Sequence, residues 1–324
     1  MKVLFLSLKL IGTRQFLQII IMFMIVQFFG LFLVAIQFNG ISISNISAAN
    51  VVSTPITAIY FVIYIVIATA ILLLVLKVYH NIFKLLELFV IFLTGFYFFI
   101  ELFSPFEVST TSLYIGMAVA GMLGIALILL KRKWPNLRNS VAIISAIGFG
   151  TILGIGFSFE IALAFMAIMA VYDFISVFVT KHMLTLANTA IENNLALLVD
   201  STEVEAVPRS ELSAEQLKEY EENEKEASKK SKTCLFEVFD KQGYAEVPTS
   251  SALGTGDMIF PLMVAVSAFK VSYNFILPMF IVIGSIFGML FTMFLLDRYK
   301  RALPAIPPLL LWITIFIVIY FLIF

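Results

Sequence analysis

Two aspartates carry the chemistry this sequence suggests, because each interrupts an apolar run that should hold no acid. Asp173 stands inside residues 161–180 and Asp257 near the start of residues 253–273. A charged side chain at the centre of a bilayer costs about 2.5–3.5 kcal/mol or more to insert, so an acid kept there needs a polar partner or a cavity. Two carboxyls brought together in apolar surroundings do not both ionise readily, and the pair tends to share one proton near neutral pH. The ionised member can then take a proton from water while the protonated member donates to a carbonyl oxygen. That division of labour makes peptide-bond hydrolysis the natural reaction. The alternative is an ion or proton transporter or leak channel that uses the same buried acids. A transporter often shows internal repeats and charged partners at the midplane; here there is no convincing repeat and no basic residue beside either acid.

The spacing lets the two acids reach one depth. Asp173 precedes Lys181 by eight residues, roughly 12 Å of helix at 1.5 Å per residue. Asp257 approaches from the same side and matches that depth if the uncharged stretch 247–256 dips into the membrane before the helix proper, which irregular backbone does where it lines a cavity. Gly254 and Gly256 suit close backbone approach and unusual dihedrals. Pro261 marks a kink or helix start just beyond the acid.

The elements that must position these acids follow from composition. The 324 residues are 61% hydrophobic and 13% charged, against roughly 45–50% apolar and about 25% charged in a soluble domain. A water-soluble globule is excluded. Equal numbers of acidic and basic residues, 21 of each, leave no bulk basic surface for a nucleic acid. A helix crossing the hydrocarbon core needs roughly 20 apolar residues. Nine such runs are read from the sequence: 15–38, 56–76, 85–103, 111–130, 139–157, 161–180, 253–273, 277–296 and 303–324. The first is too long for a cleaved signal peptide and is read as a retained span. With the N-terminus cytoplasmic, every one of the 21 basic residues except Lys270 falls on the inner side, as the positive-inside rule requires. The expected fold is an all-α polytopic membrane protein of nine transmembrane helices, N-terminus cytoplasmic and C-terminus extracytoplasmic, in the cell membrane.

Three regions result. Residues 1–180 hold the first six spans, 181–252 form a cytoplasmic loop, and 253–324 hold the last three. The loop carries 22 of the 42 charged residues and almost no apolar stripe, so it is read as largely flexible, with a candidate hairpin over 235–247. Such a hairpin would offer a sheet edge to an unwound substrate. Cys234 is the single cysteine, and the two histidines, His80 and His182, are about a hundred residues apart. Neither a disulfide nor a zinc centre is indicated, and no metal or other cofactor is expected.

Tyr172-Asp173, Gly254-Thr255-Gly256-Asp257 and Pro304-Ala305-Ile306, in that order in a nine-span chain, resemble the YD, GxGD and PAL signatures of presenilin and signal peptide peptidase. The compact chain resembles an archaeal or other microbial homologue. The resemblance implies an intramembrane aspartyl endopeptidase with Asp173 and Asp257 as the catalytic pair. It also implies that Gly254, Thr255 and Gly256 shape the backbone beside the second acid, and that Tyr172 neighbours the first. Pro304, Ala305 and Ile306 would pack against the active site and help to hold substrate, Ile306 standing where the family has leucine. The partners implied are transmembrane-helix substrates within the lipid bilayer. The charge count matches the presenilin direction of insertion, and hence substrates with the N-terminus outside.

Overall fold

The computed structural model of the protein describes residues 2–40, 60, 82–104, 110–134, 137–178, 198–208, 244–272, 274–299 and 303–324. In chain order the elements are helices α1 (Lys2–Gly40), α2 (Ile82–Phe103), α3 (Thr110–Lys133), α4 (Arg138–Gly156) and α5 (Phe159–Phe178), then strands β1 (Leu198–Pro208) and β2 (Tyr244–Gly254). Helices α6 (Thr255–Ser272), α7 (Ile276–Tyr299) and α8 (Ile306–Ile323) complete the chain. Each helix contains a stretch long and apolar enough to cross a bilayer, so the chain is a multi-pass integral membrane protein.

The count corrects the sequence reading. Among the described residues there are eight candidate spans, not nine. The expected second span, 56–76, lies outside the described residues apart from Tyr60. It was counted on apolar length and absence of charge, the same grounds as the other eight. Of the expected hairpin over 235–247, residues 235–243 also lie outside the described residues. Tyr244 to Val247 belong to β2, which pairs with β1 in a two-stranded sheet.

The chain divides into two compact units. One comprises Met1–Ile19 with Asp200–Ala252, and holds most of that sheet. The other comprises Ile20–Val199 with Leu253–Phe324, and holds both Asp173 and Asp257. Within the second unit α6 is the hub, packed against α4, α5, α7 and α8. Its residues from Pro261 to Phe269 are all buried, so polar partners for anything on this helix must come from its neighbours.

Close helix approach in lipid depends on small residues, because no hydrophobic drive separates protein from lipid tails. Gly150 and Gly154, one turn apart on α4, meet α6 in this way. A Cβ at Gly154 would stand 2.5 Å from Val266 Cβ. Gly284 and Gly288 repeat the device on α7, where a Cβ at Gly288 would come within 2.8 Å of Leu309 Cα on α8. Lys270, in the last turn of α6, donates to the carbonyl of Phe157 at 3.0 Å and to that of Ile155. It thereby satisfies acceptors that the C-terminus of α4 leaves open. Elsewhere Lys131 of α3 forms an ion pair with Glu87 of α2.

Candidate active site

Asp257 is the third residue of α6, and the Gly-Thr-Gly-Asp run is a strand-to-helix junction: β2 ends at Gly254 and α6 opens at Thr255. The stretch before the acid is therefore extended strand rather than the irregular backbone expected from sequence. The first turn of a helix has N–H groups without intrahelical acceptors. Gly254 donates its N–H to the Asp257 carboxyl, the geometry in which an acid at the third helical position reaches back to cap its own helix. Space makes glycine useful here: a Cβ on Gly254 would stand 3.3 Å from Asp257 Oδ2, whereas one on Gly256 would meet only Phe260, at 3.6 Å. Neither glycine has a positive φ, so the expected unusual dihedrals are not the reason for either.

Asp173 lies in the penultimate turn of α5 and is 5% exposed. Its Oδ2 accepts the Ile306 N–H at 3.2 Å, and the Ala305 N–H is also directed at this carboxyl. The local sequence explains the contact. Helix α8 opens Ile306-Pro307-Pro308, its N-cap position is Ala305, and no side chain of its own caps it. The two prolines have no N–H to offer, and Leu309 already donates to the Ala305 carbonyl at 3.3 Å. Ile306 thus keeps the one helical N–H of that first turn that needs an outside acceptor, and Asp173 supplies it.

Each carboxyl therefore sits on the N-terminus of a helix, Asp257 on α6 and Asp173 on α8. Unsatisfied N–H groups and the aligned peptide dipoles place partial positive charge at such an end, which favours an anion. The two carboxyls are also close enough to interact electrostatically. Backbone N–H groups are the donors that meet both carboxyls.

Of the residues singled out from sequence, Asp173, Asp257, Gly254, Ala305 and Ile306 come together around the two carboxyls. Pro304 is buried directly ahead of them, and Thr255 and Gly256 form the first turn carrying Asp257. Tyr172 differs. It is 39% exposed and lies on the outer face of α5 with Val171 and Ile175. That face borders an apolar groove of about 780 Å³ between α5 and α8, whose walls include Ala170, Phe174, Pro307 and Leu311.

A search for acids alone passes over Gln27. Its side chain is completely buried, and Nε2–H donates to the carbonyl of Met258, the residue after Asp257, at 2.9 Å. The available signal was an amide in the middle of an uncharged span. Glu87 and Glu101, read as lying near span ends, are both buried. Position along a helix gave their depth and not their lateral packing.

The family model for signal-peptide peptidase and presenilin aspartyl protease matches residues 20–323. Two solved structures of a presenilin family intramembrane aspartate protease resemble the chain. The one in the C222 space group has a TM-score of 0.56 at 18% identity, covering 94% of this chain and 95% of that one. The one in the P2 space group has a TM-score of 0.59 at 19% identity, covering 95% and 98%. At such identity the likeness is one of fold. No curated protein sequence matches.

Proposed function

Because the chain belongs to the signal-peptide peptidase and presenilin aspartyl protease family, we infer that Asp173 and Asp257 are its catalytic pair and that it hydrolyses peptide bonds within transmembrane helices of other proteins. The observation that supports this most is the pairing of the two carboxyls, each held by a helix N-terminus within one membrane-spanning unit.

In the reaction, the pair holds one proton. The ionised carboxylate removes a proton from water as its oxygen attacks the scissile carbonyl carbon, and the protonated carboxyl donates to the carbonyl oxygen, giving a tetrahedral diol. The first carboxyl, now protonated, delivers its proton to the amide nitrogen. The second takes a proton back from the diol, the C–N bond breaks, and an acid and an amine leave. The Ile306 and Ala305 N–H groups hold Asp173, and the Gly254 N–H holds Asp257, so both oxygens are oriented before substrate arrives.

The groove between α5 and α8 opens on the lipid-facing side and has almost wholly apolar walls. A transmembrane helix diffusing in the bilayer would find there a surface of its own character, next to the Pro304-Ala305-Ile306 segment that holds Asp173. Such a helix hides its amides in internal hydrogen bonds and must unwind locally before a carbonyl reaches the acids.

The test uses purified full-length protein in liposomes with a single-span model substrate. Wild type should cut, and Asp173→Ala and Asp257→Ala should each lose cleavage by at least about 1,000-fold. Normal cutting by either variant overturns the assignment.

A further inference from the structure

Helix α6 is one hydrogen bond short at the position where it carries its acid. Pro261 has no N–H, so the carbonyl of Asp257 lacks the donor four residues on that a regular helix supplies. The bond from α1 goes to the next carbonyl, that of Met258, and ties this weakened turn to a neighbouring helix. Gln27 and Gly30, three residues apart, lie on one face of α1, and Met258 and Leu262, four apart, lie on one face of α6. The two faces interlock. Gln27 Nε2–H donates to the Met258 carbonyl at 2.9 Å. The Leu262 side chain fills the space that Gly30 leaves, where a Cβ would stand 2.6 Å from it, and also the space that Gly150 of α4 leaves, where a Cβ would stand 2.8 Å from it.

Packing alone does not explain an amide here. The Gln27 side chain is 0% exposed, and its Oε1 has no hydrogen-bond partner among the described residues. Burying an unsatisfied acceptor costs about 1–3 kcal/mol, and methionine would fill similar space without that cost. What the amide adds is its N–H, aimed at a backbone carbonyl next to Asp257.

We propose that Gln27 is a positioning residue, which by holding the Met258 carbonyl fixes the first turn of α6 and so keeps the Asp257 carboxyl aligned with Asp173. The inference rests on reading those two acids as the catalytic pair.

The experiment compares wild type, Gln27→Met and Gln27→Glu as full-length protein in liposomes, with kcat and KM for the single-span substrate normalised to folded protein. Gln27→Met keeps the volume and removes the donor. Its kcat should fall roughly 10- to 100-fold, the scale of a misplacement of about 1 Å, while KM stays within about twofold. Gln27→Glu donates to Met258 only as the protonated acid, so its rate relative to wild type should be highest at the acid end of the pH range and fall as pH rises. Gln27→Glu carries the test on its own if Gln27→Met does not accumulate as folded protein. A purely structural role would lower thermal stability and leave kcat per folded molecule unchanged. An unchanged kcat in Gln27→Met, or a Gln27→Glu rate that stays far below wild type even at the acid end of the pH range, overturns the proposal. Wild type that fails to cut the substrate removes the catalytic reading and this inference together, whereas wild type and Gln27→Met cutting equally removes the inference alone.

Discussion

Two of the regions in which this protein places carboxylates within its helices treat them in opposite ways. Between α2 and α3, Glu87 is 4% exposed and is answered by a cation, the Lys131 ammonium, itself 12% exposed. Between α5, α6 and α8, Asp173 and Asp257 are answered by backbone N–H groups. A lysine occupies a carboxylate, so the Glu87 pair holds two helices together. Backbone donors orient a carboxyl without contributing a mobile proton of their own, so both aspartates keep the freedom to gain and lose one. On the proposed reading of the two aspartates, what separates a structural intramembrane acid from a reactive one is the kind of partner rather than the depth of burial.

The contrast can be broken from either side. The largest effect is expected for Glu87→Gln, which strands Lys131 and should lower stability by about 3 kcal/mol. Thermal unfolding in detergent reads that loss, and below the lowered midpoint the variant should still cut substrate. A variant that remains stable but no longer cuts would place Glu87 in the chemistry. Next is Gly254→Ala, whose added Cβ would crowd Asp257 Oδ2. Displacing the carboxyl by a few tenths of an ångström should cost about tenfold in kcat with little change in KM, and unaltered kinetics would show that space at Gly254 does not set the acid. The smallest effect is expected for Tyr172→Phe, because that ring lies on the outer face of α5. Cleavage should change by less than about twofold, and a tenfold loss would bring the phenol into the site.

The legible part of the site was the part written in charge. Asp173 and Asp257 stood out because each broke an uncharged run. The partners were less visible. That Ile306 would give its N–H to Asp173 depends on where α8 meets α5, and no property of either segment alone fixes that crossing. Gln27 carried a weak sign, an amide in a span, but its partner is a backbone carbonyl 231 positions away, and every residue has such a carbonyl. Apolar runs gave the class of the protein and located each of the eight spans found among the described residues. The strand at Tyr244–Gly254 was half-read: part of it was assigned to a hairpin and part to irregular backbone, because period-2 signals are short beside the long apolar runs.

The claim on which the rest depends is that both aspartates act on one tetrahedral centre. The most direct measurement is the affinity of an apolar helical peptide carrying a hydroxyl isostere of the tetrahedral diol, titrated against wild type, Asp173→Asn and Asp257→Asn in detergent. We predict tight binding to wild type, a loss of roughly 100-fold or more in each single variant, and little further loss in the double variant, because the two carboxyls hold the same hydroxyl. Full affinity in either single variant, or losses that simply add, would contradict a shared centre.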